Sequence, residues 1–249
     1  MKVSIITATY NSESTIIDTL KTLNEQSYPN IEYIIIDGNS TDNTLSVVKQ
    51  NCPRVSTVVS EADAGIYDAL NKGVSAATGD VVGFLHSDDL FAYPDAVKDI
   101  VDTFTTDKCD AIYSDLEYVS KDNIHNVVRL WKSGTYSKTK LKSGWMPPHP
   151  TFYMKRELYK KYGLFDLNFK ISADYDSLLR FLWTKEISLS YLPKVTIKMR
   201  VGGASNRSLK NIVLKTQEDI RAMKKNKLPV IFAILGKNLL KIPQFFLRN

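Results

Sequence analysis

The sequence predicts an α/β fold, a mostly parallel central sheet with helices on both faces. Three observations carry that expectation. Short apolar runs alternate with segments whose apolar residues recur at helical spacing, as far as about residue 113. Acidic residues stand just after three of those runs, at Asp37, at Glu61 with Asp63, and at Asp88 with Asp89, and parallel sheets bind ligands at the carboxyl ends of their strands. The composition is globular: of 249 residues 43% are hydrophobic and 24% charged, with 11 Gly and 9 Pro. That balance excludes collagen-like, low-complexity and wholly disordered chains.

The elements follow in order. Val3–Thr7 is a strand, and Asn11–Ser12 start a helix carrying Ile16, Ile17, Leu20 and Leu23. Ile31–Ile36 is a buried strand ended by Asp37–Gly38, after which Thr41–Asp42 cap a helix through Gln50. Ser56–Val59 is a third strand. Ile66, Ala69, Leu70, Val74 and Ala77 line one face of a helix that Thr78–Gly79 ends. Val81–Leu85 runs directly into His86-Ser-Asp-Asp89, Pro94 opens a helix to about Thr105, and Ala111–Tyr113 begins a fifth strand. Strand–helix–strand units at this spacing indicate parallel pairing. The second half is less regular: strands at Asn126–Trp131 and Thr151–Met154, a helix at Asp174–Thr184, strands at Ile187–Leu192 and Val195–Val201, then two helical stretches.

Two cysteines, Cys52 and Cys109, are too few for a disulfide framework or a zinc site and suit a reducing compartment. The N-terminus runs straight into a strand without the pattern of a signal peptide. No window approaches the roughly 18 apolar residues of a spanning helix. The longest apolar stretch, Leu228–Gly236, contains Pro229 and is followed by Lys237 and Lys241. A cytoplasmic protein is expected.

The acidic clusters carry the chemistry. Asp88 and Asp89 at a strand end either supply carboxylates to a hard divalent ion, whose shell substrate phosphates and water complete, or make a turn or helix cap. In Glu61-Ala-Asp-Ala-Gly-Ile-Tyr-Asp-Ala-Leu-Asn-Lys-Gly73, Gly65 permits a bend or close approach, and the following helix presents its amides to an anion. Asp68 and Lys72, four apart, also suit a surface ion pair. Glycine-rich dinucleotide and triphosphate loops and a Gly-x-Ser-x-Gly elbow are missing, which argues against a nicotinamide dehydrogenase, a phosphate-loop ATPase and a serine hydrolase.

Ser4-Ile-Ile-Thr-Ala-Thr-Tyr-Asn11, Ile36-Asp-Gly-Asn-Ser-Thr-Asp-Asn-Thr44, the Gly65–Gly73 segment and Leu85-His-Ser-Asp-Asp89 together resemble glycosyltransferase family 2, over roughly residues 3 to 205. The resemblance implies a GT-A fold, with a Rossmann-like, mostly parallel sheet, and an inverting transfer from a nucleotide-sugar, with UDP expected. It implies that Thr7, Ala8, Tyr10 and Asn11 line the base and ribose. Asp37 would accept the ring N–H of uracil, and Asp63, Gly65 and Lys72 would bound the nucleotide pocket. Asp88, with Asp89 beside it, would ligate Mn or Mg on the diphosphate. Ile171-Ser-Ala-Asp-Tyr-Asp176 resembles the motif that supplies the base, with Asp174 preferred and Asp176 either its competitor or a cap. Two positions depart from the pattern: His86 stands where the family commonly has Asp or Asn, and Ala173 where it often has Glu. His149 either orients the acceptor, binds phosphate or packs as a structural histidine. Trp145 and Tyr153 either stack on a sugar or belong to the core.

The formal charge of +6 is unevenly spread: residues 205–249 hold ten Lys/Arg against two Asp/Glu. The expected division is therefore a catalytic domain, 1–204, and a helical basic tail, 205–249. The tail either lies on the inner membrane surface as an amphipathic helix or packs its apolar face on the domain. The expected acceptor is a lipid-linked saccharide or a polysaccharide. A non-catalytic nucleotide-sugar or glycan-binding module on the same fold is the alternative. Nucleic acid is not expected, because the basic charge lies in the tail, without a recognised nucleic-acid-binding motif, and not on a face of the folded domain.

Overall fold

The computed structural model describes residues 1–202, 209–230 and 232–234. Its first part alternates as expected: β1 (Val3–Thr9), α1 (Ile16–Asn24), β2 (Ile31–Asp37), α2 (Thr44–Asn51), β3 (Val55–Ser60), α3 (Ile66–Ala76), β4 (Val81–Phe84), β5 (Leu90–Phe91) and α4 (Ala96–Asp107). There follow β6 (Ala111–Val119), β7 (Val127–Trp131), α5 (Lys138–Lys142), β8 (Tyr153–Lys155), α6 (Arg156–Tyr162), α7 (Ala173–Leu179), β9 (Leu189–Arg200) and α8 (Leu209–Lys225).

The strands form one sheet in the order β3-β2-β1-β4-β8-β6-β9-β5, with β7 beside β6. Pairing is parallel across β3, β2, β1 and β4, and between β6 and β9. Where the sequence predicts a mostly parallel sheet, β8 inserts antiparallel to both β4 and β6, and β5 and β7 also pair antiparallel. The result is a mixed α/β sheet.

Central strands are buried on both faces, which is why they read as continuous apolar runs rather than alternating ones. Along β1 and β2, Ile5, Tyr33 and Ile35 face a core with Leu20 of α1 and Val97 and Ile100 of α4. Their neighbours Ile6, Ile34 and Ile36 face the opposite core with Leu70 and Val74 of α3 and Leu178 of α7. Gly73 lets α3 settle on β1, because a Cβ there would lie 2.3 Å from the Ile6 side chain. Gly83 does the same for the Tyr153 ring, at 2.0 Å.

The two strands expected on either side of Pro193 are one strand. β9 continues through it, and the register slips where Leu192 pairs with Ser114 but Val195 with Asp115. Proline removes a ladder donor, and the bulge absorbs it without ending the strand. The helix expected over Asp174–Thr184 is α7 followed by a wider π turn at Arg180–Thr184. Of the expected tail, α8 returns to the sheet domain: Ala222, Met223, Leu228 and Ala233 lie in the same core as α3 and α7. The remainder of the proposed amphipathic stretch, from 235 onward, lies outside the described residues. Among those described, no helix is long and apolar enough to cross a membrane.

Candidate active site

The parallel register aligns Thr9, Asp37 and Ser60 at the carboxyl ends of β1, β2 and β3, so the loops leaving these strands meet. Asn11, at φ 48°, accepts the Thr41 N–H at 2.9 Å, and its own N–H donates to Ser40 Oγ at 2.9 Å. These bonds join the first loop to the second. Gly38 brings in the third loop: a Cβ there would sit 2.7 Å from Asp63 Oδ2 and 3.5 Å from the Tyr10 ring. Tyr10 itself is 62% exposed, an aromatic face offered to solvent beside a carboxylate.

Gly65 is needed for its backbone, with φ 113° and nothing near its missing Cβ. Its N–H donates to Asp63 Oδ1 at 2.8 Å. Lys72 reaches back from α3 to Glu61 at 2.8 Å, to Asp68 at 3.5 Å and to the Ala62 carbonyl at 3.1 Å. It holds the 61–65 loop against α3, and those two carboxylates push its ammonium pKa up against the pull of desolvation.

β4 delivers His86 and Asp88. His86 Nδ1 is buried without a hydrogen-bond partner. Burial lowers the His86 pKa, while the charges of Asp88 and Asp174 pull it back up. The imidazole follows the carboxyl end of β4 by two residues. His149 completes the wall, stacked on Phe84 at 5.4 Å, edge-on to Phe165 at 5.6 Å and 6.3 Å from His86. Its pKa is pushed down to about 4, chiefly by burial, so it is a neutral imidazole at pH 7. Asp174, half-buried in the first turn of α7, meets the Tyr67 hydroxyl at 3.2 Å.

The sequence pattern of Glycosyl transferase family 2 matches residues 4–163. The chain belongs to this family. It is 33% identical over 180 residues to an uncharacterized glycosyltransferase of Mycobacterium tuberculosis, covering 72% of this chain and 68% of that one. Two solved structures share the fold. One is Staphylococcus aureus TarS 1–349 in complex with UDP, with TM-score 0.69 and 21% identity over 97% of this chain and 71% of that one. The chain spans 39% of a longer TarS structure. The other is the mannosyltransferase PcManGT from Pyrobaculum calidifontis in complex with GDP-Man and Mn²⁺, with TM-score 0.69 and 19% identity, covering 98% and 73%.

The transferase is thus a glycosyltransferase of GT-A architecture, and its site departs from the sequence reading at several residues. Thr7 does not line an open pocket. It is fully buried, bonded to the Tyr33 hydroxyl at 2.8 Å and donating to the Leu85 carbonyl at 2.5 Å, while Ala8 is 8% exposed. Asp37 is also fully buried, and its carboxylate accepts from the Ser40 N–H at 3.0 Å, from Ser40 Oγ and from Ser60 Oγ at 2.7 Å. Asp176 is not brought to the cleft. It takes Lys225 Nζ at 2.9 Å, Asn226 Nδ2 at 2.9 Å and Arg180 at 3.4 Å, with no exposure. Trp145 is tied to the Ser133 carbonyl at 3.0 Å and packs edge-on to Tyr113 at 5.6 Å. Tyr153 is core.

Asp89 turns inward, 1% exposed, and burial pushes its carboxyl well above the usual range, with the Asp88 charge adding and Arg200 opposing. Of the acidic pair, Asp88 alone stays half-open. Among the described residues no three His, Cys, Asp or Glu side chains could cage a metal. One open carboxylate beside an orphaned imidazole nitrogen instead fits an ion carried largely by substrate phosphates.

Sequence reasoning missed three residues around the base. Tyr67 lies inside a quoted motif, but an aromatic in an amphipathic helix carries no mark of its partner. Glu218 and Asp219 had a signal: they are the only acids in the basic stretch from 205 to 249.

Proposed function

We propose that the chain is an inverting transferase that moves a hexosyl or N-acetylhexosaminyl group from a nucleotide-sugar, with UDP favoured, to a hydroxyl of a lipid-linked saccharide or polysaccharide. The observation that carries this reading is the row of rings from His86 through His149 and Phe165 to Tyr67, 6.3, 5.6 and 5.7 Å apart, whose last hydroxyl meets Asp174 at 3.2 Å. Donor phosphates at the strand end and a base at the start of α7 then face one another across a single sugar. Tyr10 and Asp63 beside Gly38 suit a nucleoside, one offering a face and the other an acceptor.

Asp174 takes the proton of the acceptor hydroxyl as its oxygen attacks the anomeric carbon, and the bond to the diphosphate breaks on the opposite face, inverting configuration. His149, neutral and walled by aromatics, orients the acceptor without competing for that proton. Asp88 would hold a divalent ion, Mg²⁺ or Mn²⁺, which when bound stabilises negative charge on the leaving diphosphate. The nucleotides bound by TarS and the Mn²⁺ bound by PcManGT support this assignment. A donor screen by thermal shift with UDP-, GDP- and dTDP-sugars tests the nucleotide, because ligands that bind only the fold raise its stability. Full activity in both Asp88→Ala and Asp174→Asn would refute the mechanism.

The same reading places the enzyme on the cytoplasmic face of the membrane. Exposed Ile212, Val213 and Phe232 stand in a chain segment rich in lysine, a combination suited to an anionic bilayer. Leu228 and Ala233 are core, so the informative variant leaves them in place and replaces Ile212, Val213 and Phe232 together with Ser. It should lose binding to phosphatidylglycerol vesicles while keeping UDP binding, and unchanged vesicle binding would overturn the assignment.

A further inference from the structure

The catalytic loop is gripped from two sides. Immediately before Asp174, the backbone N–H groups of Lys170, Ile171 and Ser172 all donate to Glu218, at 2.9, 2.8 and 3.0 Å. The Ser172 hydroxyl donates to the neighbouring Asp219 at 2.8 Å. Both acids come from α8 and are nearly inaccessible, Glu218 at 6% and Asp219 at 8%. From the opposite direction α3 sends Tyr67, whose hydroxyl donates to the Ile171 carbonyl at 2.6 Å and lies 3.2 Å from Asp174 Oδ1.

Backbone donors ahead of a helix usually find water or a local Ser, Thr, Asn or Asp side chain. Here they are met by a carboxylate 46 to 48 positions away in sequence. A carboxylate is the strongest acceptor available for such donors, and a buried one is strongly held by them. With its N–H fixed by Glu218 and its C=O fixed by Tyr67, the Ile171 residue cannot rotate. Ser172, which caps α7, is fixed by both acids.

We propose that Glu218 is a positioning residue for Asp174: α8 fixes the loop that carries the base without touching substrate. The segment that the sequence divides off as a tail is then part of the catalytic apparatus at its α8 end. This inference rests on the reading of Asp174 as the base.

The test uses the full chain and Glu218→Gln, which keeps the side chain's size and one acceptor oxygen but turns an amide donor toward backbone donors. Turnover is read as nucleotide released from whichever UDP-, GDP- or dTDP-sugar the wild type uses best. Misplacing a reacting group by about 1 Å costs on the order of 100-fold, so kcat should fall about 10- to 100-fold while UDP affinity stays within about twofold. Amide hydrogen exchange at residues 170–172 should accelerate. In an Asp174→Asn background, Glu218→Gln should add little further loss, since residues acting as one unit are non-additive. Unchanged kcat with unchanged exchange would overturn the proposal, as would a full additional loss in the Asp174→Asn background. If Glu218→Gln does not fold, Tyr67→Phe decides, because it removes one hydroxyl, the one that holds the Ile171 carbonyl and meets Asp174 Oδ1. It should lower kcat in the same range, and wild-type kcat there would also refute the clamp. Failure of the base assignment itself looks different: Asp174→Asn alone would then remain fully active.

Discussion

Glu32 stands on β2, one strand in from the sheet edge, with a carboxylate that accepts five hydrogen bonds, and replacing it by Gln is a quantitative test of how β1, β2 and the α3–β4 turn are joined. It accepts from Lys2 Nζ at 2.6 Å, Ser4 Oγ at 2.5 Å, Thr78 N–H at 2.8 Å, Thr78 Oγ1 at 2.5 Å and Gly79 N–H at 3.3 Å. Burial alone would raise its pKa, but these donors outweigh it and hold the carboxyl down at about 2 against an ordinary 4.5. At about 1.4 kcal/mol per pKa unit, that difference corresponds to roughly 3 kcal/mol of stability at neutral pH. Since Lys2 is 38% exposed, its share is screened, and about 2–3 kcal/mol is the expected loss. The folded pKa is the lower one, so this stabilisation is complete above about pH 4.5 and fades as pH falls toward 2. Urea unfolding of wild type and Glu32→Gln at pH 7, 4 and 3 gives the result directly. The gap should be largest at pH 7 and mostly closed at pH 3. Equal midpoints at pH 7, or a gap independent of pH, would refute the reasoning.

Other expectations are simpler. Gly83→Ala forces a Cβ into the Tyr153 ring at 2.0 Å and should cost about 1–3 kcal/mol; a second change, Tyr153→Leu, should recover part of that in the same urea assay. Asp89→Asn should retain activity and its response to Mg²⁺ or Mn²⁺, because Asp89 is buried against Arg200, whereas Asp88→Asn should lose both. For His149, whose pKa is about 4, NMR should show no titration above about pH 5. Because the folded pKa is depressed, stability should decline as pH drops from about 6.5 toward 4, and His149→Gln should flatten that decline.

The strand runs, their order through residue 113, and the acids at three strand ends were legible because each depends on neighbours in sequence. A strand covered on both faces must be apolar at consecutive positions, and a residue that follows a strand lies at its end whatever the rest of the chain does. The four motifs named the family for the same reason. The burial of Thr7 beneath Leu85, the engagement of Asp176 with Lys225 and Asn226, and the turning of Asp89 toward Arg200 are pairings across 49 to 111 positions, which leave no periodicity to read. Charge distribution suggested a tail apart from the enzyme, since lysines dominate it. Yet its two acids are what the folded chain uses: Glu218 takes three backbone donors ahead of Asp174, and Asp219 takes the Ser172 hydroxyl. Composition fixed what kind of surface the α8 segment presents, and only tertiary packing decided which loop its carboxylates would meet, because buried donors must be satisfied wherever the fold leaves them.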